Sequence, residues 1–502
     1  MKDQKDNIVI VSIILSVFLF LFISKTITSG YHFVDDHEVI RIKNDLKSSS
    51  LITVTKTWVI EDLSHNARFR PIYYIHRVFE TRLFGSDFIL WSLYNGVLCC
   101  LTLIFFYLGM RNLKFALEES IAFLIITFIG PQSSVWWRLG PGESLGMVFL
   151  GLSFYFMSRS PGKRNYIANN LLFIFFLILS SLTKESFLII IPGMIFFKIW
   201  NEKISIWSTL KESIHKNLLL VLPLMVFAIE LIMIIFYVGT DYSGLDTKFI
   251  NTIDSILLTG MHLVKTYLNL FIVSLLLFLI SWFINKRIVE LNLFSIVFFI
   301  LILTPNIILY AKSGLEERYL LPSSFGLAFL AVTFIKGIEE HKGWFKKIAS
   351  ALVLILFIPF IIMSFKDAIE FSKEGTATKK LLSAISINLV SGTQPLVVVD
   401  PVESYESSVS LKTYLFYENE IDLFGYCIIK NGNNDNNQVY IDGWKSYFDK
   451  KQFEDLPSKP GLLIFLDNQM INEFFNTSKL SRHDYLPIEI GNSSFALFKE
   501  NY

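Results

Sequence analysis

Asp35, Asp36, His37 and Glu38 stand side by side within 31–41, the stretch YHFVDDHEVIR, just after the first membrane-length apolar run. Three carboxylates and a histidine are costly to place where a helix leaves lipid, and neutral residues would serve a plain loop as well. Adjacent carboxylates suit a general base, with one member free to position a second reactant or a cation. Asp36 is the first candidate for the base and Asp35 the close alternative. Were the stretch helical, Asp35 and Glu38 would share a face while Asp36 pointed about 100° away. The competing reading is a solvated loop start that happens to be acidic.

Cations stand in other turns between apolar runs. Lys184 lies in Leu182-Thr-Lys-Glu-Ser186, and Arg318, followed by Tyr319, lies in Glu317-Arg-Tyr-Leu-Leu-Pro322. Arg138 follows Trp136-Trp137 and precedes Glu143, and Arg70 sits in the first long loop. Ionisable residues at the membrane boundary are costly to place, so each could serve a site. Each has a plainer reading: Lys184 as an interfacial anchor, Arg318 in a surface ion pair worth ~0–1 kcal/mol. Glu143 could equally be a helix-start acid favoured by the dipole. His262 is read as structural.

Long apolar runs must position these groups. The chain is 53% hydrophobic with 48 phenylalanines in 502 residues, and the apolar residues cluster in runs instead of alternating with polar ones. Runs fall near 8–27, 88–108, 116–130, 144–157, 171–182, 187–197, 218–238, 267–283, 293–310, 319–335 and 348–364, about eleven spans in all. The run 8–27 is read as an uncleaved first helix, since it is long for a signal peptide. Within 171–200, a single helix would bury Lys184 and Glu185 at about 2.5–3.5 kcal/mol each, so two short helices with a turn between them are expected.

A net charge of +1 gives no case for a nucleic-acid partner. Three cysteines, two of them adjacent, supply neither a disulfide framework nor zinc spacing. Lysines and arginines concentrate in alternate loops (Arg111 with Lys114, Arg159 with Lys163, 198–216, 336–347), which are read as cytoplasmic with the N-terminus. An odd number of spans then puts 35–38, Lys184, Arg318 and the tail on the outer side. The loop 29–87 is too long for a turn, and 51–63 and 71–84 suit short interfacial helices, with Pro71 at a first helical position. The chain therefore divides into an α-helical polytopic membrane domain, 1–365, which includes the loop 29–87, and an outer-side soluble α/β domain, 366–502. In the latter, strands are expected over 396–400, 421–429, 438–442 and 462–466, and helices over 367–389, 405–418, 444–455 and 468–475. The run 431–437 is read as a loop.

The order and common side of these motifs resemble the GT-C superfamily of polyprenyl-phosphate-sugar-dependent glycosyltransferases. The similarity is to members related to protein mannosyltransferases, aminoarabinose transferases and O-antigen glucosyltransferases. It is carried by the paired Asp35-Asp36 after the first helix, Trp136-Trp137-Arg138 with Glu143, the Lys184 turn and the Arg318 turn, and it covers 8–335. The WWD-type signature of oligosaccharyltransferase catalytic subunits is lacking. The resemblance implies a GT-C-like fold and an integral enzyme of the cytoplasmic membrane. It would transfer a hexose, with inversion, from a polyprenyl-phosphate donor to a glycan or protein acceptor. Asp36 or Asp35 would be the base and Lys184, Arg318 and Arg138 would hold the lipid phosphate. Glu38, His37, Arg70, Glu143 and Tyr319 would support the acceptor or the site. No cofactor is required; a divalent cation at 35–38 is compatible with the carboxylates but not demanded. Other classes remain: a lipid-linked glycan flippase or transporter, which would place its charges near the midplane of internal repeats, and a polysaccharide polymerase or ligase, whose main loop comes late in the chain.

Overall fold

A computed structural model describes residues 2–65, 68–140, 142–159, 166–202, 214–233, 249–267, 271–272, 274–276, 279, 289–310, 317–337, 343–389, 393, 395–428, 442–444, 447–448, 460–478, 480–490 and 494–501. The chain forms two compact units, neither contiguous in sequence. The first comprises Met1–Ile23, Thr55–His76 and Leu93–Ala368; the second comprises Ser24–Val54, Arg77–Ser92 and Ile369–Tyr502.

The first unit is built of helices. Among the described residues, two helical stretches, Gln4–Ile23 and Phe88–Asn112, are long and apolar enough to cross a bilayer by length and composition. Tyr166–Ser181, Leu220–Ile232, Leu293–Leu309 and Ser323–Lys336 are apolar but shorter. Of the eleven runs counted from sequence, most of that at 267–283 and the end of that at 218–238 lie outside the described residues. Ile8, Val11, Leu15, Leu19 and Phe22 on the first helix are exposed, an apolar face suited to lipid. Helix Gly142–Ser158 pairs with Tyr166–Ser181, and Leu321–Gly337 packs on both Leu117–Phe128 and Val289–Leu309. Phenylalanine fills the seams: the rings of Phe106, Phe123, Phe154 and Phe325 contact one another at 5.3–6.2 Å. Tilted and edge-on pairs of this kind add about 0.5–1.5 kcal/mol each beyond the area they bury.

The second unit holds a five-stranded sheet of β1 (Pro395–Val399), β2 (Phe424–Cys427), β3 (Leu462–Phe465), β4 (Tyr485–Ile488) and β5 (Ala496–Glu500). The order is β2-β1-β3-β5-β4, parallel across β2-β1-β3 and antiparallel at β5 and β4. β1 and β3 are buried along their whole length, as strands covered on both faces must be. Their side chains alternate between two cores. Val397, Val399, Leu462 and Ile464 face one; Leu396, Val398, Leu463 and Phe465 face the other with Met470 and Phe474. The first core also contains Tyr31, Phe33 and Ile40, from 350 residues and more earlier in the chain, beside Leu381, Leu411 and Leu415.

That packing redraws the boundary at 366. Residues 24–54 and 77–92 group with the tail, not with the apolar half, because their apolar side chains complete the tail's core. The expected helices over 348–364 and 367–389 are one continuous helix, Gly343–Asn388. No proline or glycine pair interrupts the junction at 365–367, so composition changes there while the backbone does not. Helix Phe249–Thr266 was not among the apolar runs; β4 and β5 were not expected either. The loop 431–437 and most of the strand expected at 438–442 lie outside the described residues, as does most of the helix expected over 444–455.

Candidate active site

In the first unit, four segments carry charged groups to one place. The break expected within 171–200 is present: one helix ends at Ser181, a four-residue helix begins at Glu185, and the next runs Ile191–Asn201. Lys184 stands in that break with extended backbone. The amide of Ile72 donates to Leu182 O at 3.2 Å, tying the start of helix Pro71–Phe84 to the same turn. Gly142, at the head of its helix, lets Tyr73 and the Thr183 carbonyl come close: a Cβ there would lie 3.2 and 3.4 Å from them. Glu143 therefore begins its helix beside Lys184.

Lys184 and Glu143 form a buried ion pair, with the ammonium donating to Glu143 Oε1. Arg318 adds its charge to both. Lys184 Nζ lies 4.4 Å from the ring centroid of Tyr319, and the Arg318 guanidinium lies 5.3 Å from the same ring. Tyr319 is fixed by stacking on Tyr310, centroids 4.3 Å apart, and by Asn306 Nδ2 donating to its carbonyl at 3.1 Å. Burial pushes the Lys184 ammonium down to about 8; Glu143 resists that shift, while Arg318 and Arg68 reinforce it.

Arg70 donates to Asp62 through Nε (3.0 Å) and Nη2 (2.7 Å), and its guanidinium packs on Tyr73 and Tyr74. Burial opposes its charge, but the Asp62 hydrogen bonds and charge, aided by Glu185, hold its pKa well above the ordinary value. Arg68, Arg70, Lys184 and Arg318 thus stand among Asp62, Glu143 and Glu185. An anion can enter such a site without displacing every internal pair. Glu185 Oε1 is buried without a hydrogen bond among the described residues, an acceptor that a hydroxyl could satisfy. The 3-10 turn Pro131–Trp136 packs on Glu317–Leu320, and Arg138 follows it, half-buried, with its carbonyl held by Asn95 Nδ2 at 3.0 Å.

An apolar cavity of about 480 Å³ also lies in this unit, lined by Ser16, Phe20, Leu103, Trp136, Trp137 and Ile361 among others.

In the second unit, the acidic stretch is not helical throughout. Helix His37–Ser48 starts after Asp36, and Asp35 adopts left-handed backbone with φ 66°. The shared face expected for Asp35 and Glu38 therefore does not exist. Aspartate tolerates this conformation better than most residues, and non-glycine residues held there gather at functional sites. Asp36 is 2% exposed, and its Oδ2 accepts the His32 amide at 2.8 Å with the His32 ring 3.7 Å away. Glu38 Oε2 lies 3.9 Å from Arg77 Nε, and Arg77 sits over the Trp91 ring at 4.7 Å. His37 is lowered from its ordinary pKa by burial, and its Nδ1 has no hydrogen-bond partner among the described residues.

Of the residues singled out from sequence, Lys184, Arg318, Tyr319, Glu143 and Arg70 belong to one cluster in the first unit, and Asp35, Asp36, His37 and Glu38 to another in the second. Asp62, Arg68, Tyr310 and His32 were missed. For His32 a signal existed, four residues before Asp36; Asp62 looked like any acid on a surface helix. Among the described residues, no three or more of His, Cys, Asp or Glu are grouped to hold a metal ion.

No protein-family model matches this chain, and no curated protein matches it. Among solved structures, it resembles ArnT from Cupriavidus metallidurans bound to undecaprenyl phosphate, with a TM-score of 0.48, 10% identity, and 97% of each chain covered. It likewise resembles ArnT from the same organism in the apo state, with a TM-score of 0.47 and 13% identity over 99% of this chain and 98% of that one.

Proposed function

We propose that this chain is an integral-membrane glycosyltransferase that moves a hexose from a polyprenyl-phosphate donor to a hydroxyl of a glycan or protein, on the outer face of the membrane. The observation that carries the reading is the buried Lys184, paired with Glu143 and joined by the half-buried Arg318, whose charge acts on both, in turns between apolar helices. A lipid-linked phosphate brings its charge to the membrane boundary, and cations gathered there can meet it. The apolar cavity with Trp136 and Trp137 in its wall offers room for hydrocarbon.

In the reaction, Asp36 takes the proton of the acceptor hydroxyl. The acceptor oxygen attacks the anomeric carbon, and the bond from that carbon to the phosphate oxygen breaks with its electrons passing to the phosphate. Lys184 and Arg318 stabilise the charge that develops there, and a single displacement inverts the anomeric centre. Arg138 assists at the phosphate, and Glu38, His37, Arg70 and Tyr319 support the groups that react.

The test supplies purified protein with polyprenyl-phosphate hexoses and follows release of polyprenyl phosphate. Asp36→Asn abolishes release while the protein stays in the membrane, and Arg318→Ala raises the donor KM. Normal transfer by both variants overturns the assignment; movement of intact donor across vesicles without release identifies a transporter instead.

A further inference from the structure

Asp36 is not held by its own helix. Although it precedes His37–Ser48, its side chain makes no cap hydrogen bond there. One carboxylate oxygen, Oδ2, turns back to His32, taking the backbone amide at 2.8 Å and facing ring Nδ1 at 3.7 Å. The ring has little freedom. Its Nε2 meets the carbonyl of Phe371 at 3.0 Å, which places a proton on that nitrogen, and it stacks on the Phe371 ring with centroids 3.7 Å apart and planes 11° from parallel. Gly375, one turn along the same helix, makes the fit possible: a Cβ there would lie 2.6 Å from both His32 Cε1 and Nε2. His32 is 2% exposed, so it contributes little to solvation. Nothing in the packing of a plain loop asks for a histidine pinned on three sides against an aspartate.

We propose that His32 is the positioning residue of Asp36: its backbone amide binds Oδ2 and its ring, locked by Phe371 and admitted by Gly375, lies against the same oxygen as a charge partner, so that Oδ1 is the one presented to the acceptor hydroxyl. This rests on Asp36 being the base. Among the described residues, Oδ1 has no hydrogen bond of its own. The charged groups that face the ring are Asp36 from its own segment and Glu374 from helix Gly343–Asn388. Burial alone would lower the imidazole, but these two carboxylates and the Phe371 carbonyl raise it above its ordinary 6.5. The imidazolium therefore persists below that raised value and is lost as pH climbs through it, and the hold on Oδ2 weakens in the same window.

Two measurements on the full-length protein in detergent test this. Histidine Cε1 hydrogen exchange, read by mass spectrometry across pH, reports His32 directly. Its midpoint lies above that of a free histidine and falls in Asp36→Asn. In parallel, His32→Gln is assayed with polyprenyl-phosphate hexoses. It keeps a donor to Phe371, yet kcat falls by up to roughly 100-fold, as a displaced catalytic group allows. Donor KM is unchanged, and the fall of kcat expected in the parent as pH rises through the His32 window disappears. An exchange midpoint indifferent to Asp36→Asn, or a kcat profile in His32→Gln that superposes on the parent's, overturns the proposal. Full activity in Asp36→Asn sinks the base assignment instead, and leaves the His32–Asp36 coupling to be judged by exchange alone.

Discussion

Lys184 meets Tyr319 as a cation over a ring, at 4.4 Å, while the same ammonium is paired with Glu143. A lysine so enclosed loses its proton readily: burial brings it down to about 8. The cation that would grip a phosphate is therefore present at neutral pH and disappears as pH rises through that value. Donor KM should climb on the alkaline side, and it should do so in His32→Gln as well, where kcat no longer changes with pH. Lys184→Arg, with a guanidinium that stays charged, should flatten the climb. Initial rates against donor concentration across pH decide it.

Glu143 holds the cluster's charge in check, so removing it alone should be worse than removing the pair. Glu143→Gln leaves Lys184 buried with its ion-pair partner gone, a loss of about 3–5 kcal/mol. Glu143→Leu combined with Lys184→Met should recover most of that in a detergent melt, though not transfer. Additive losses in the double-mutant cycle would show that the two side chains act independently.

Arg70 cannot be replaced by lysine without penalty. Its two hydrogen bonds to Asp62 use the planar fork of the guanidinium, which an ammonium lacks. Arg70→Lys should destabilise the first unit by about 1.5–3 kcal/mol. Asp62→Asn should do much the same, and the two together little more. Urea unfolding of the three variants makes the comparison.

Gly142→Ala tests how tightly the Lys184 turn is seated. The new Cβ would meet Tyr73 and the Thr183 carbonyl at 3.2 and 3.4 Å, so one of them must give way. Crowding of this order is worth ~1–3 kcal/mol. Transfer should fall further than the melting temperature implies if the Thr183 carbonyl yields, because it adjoins Lys184. Parent-like rates with a lowered melting temperature would mean that the turn moves without disturbing the cluster.

Much of the first cluster was legible in the residues. A lysine-glutamate pair inside an apolar run forces a break, and the break is where Lys184 stands. Arg318 and Glu143 announced themselves as charges at the ends of apolar segments. What stayed hidden was partnership: nothing local tells that Asp62 belongs to Arg70 or Tyr310 to Tyr319. Helix Phe249–Thr266 escaped because Asn251, Asp254, His262 and Lys265 dilute its apolar residues below the level of a run. β4 and β5 are short, and Pro487 within β4 argued against a strand, although at a sheet edge the missing amide is tolerated. The left-handed Asp35 was equally out of reach, since a two-residue acidic pattern carries no backbone angle.

Tyr31 donates to the carbonyl of Ser410, 379 residues onward. At ribosomal speeds of about 5–20 residues per second, that partner is synthesised roughly 20–75 s later. Tyr31, Phe33 and Ile40 must wait through that interval with no sheet to cover them, and Asp36 waits with them. A nascent or prematurely terminated chain would thus carry the whole of the first unit while its acidic segment still waits for the final strands to be laid down.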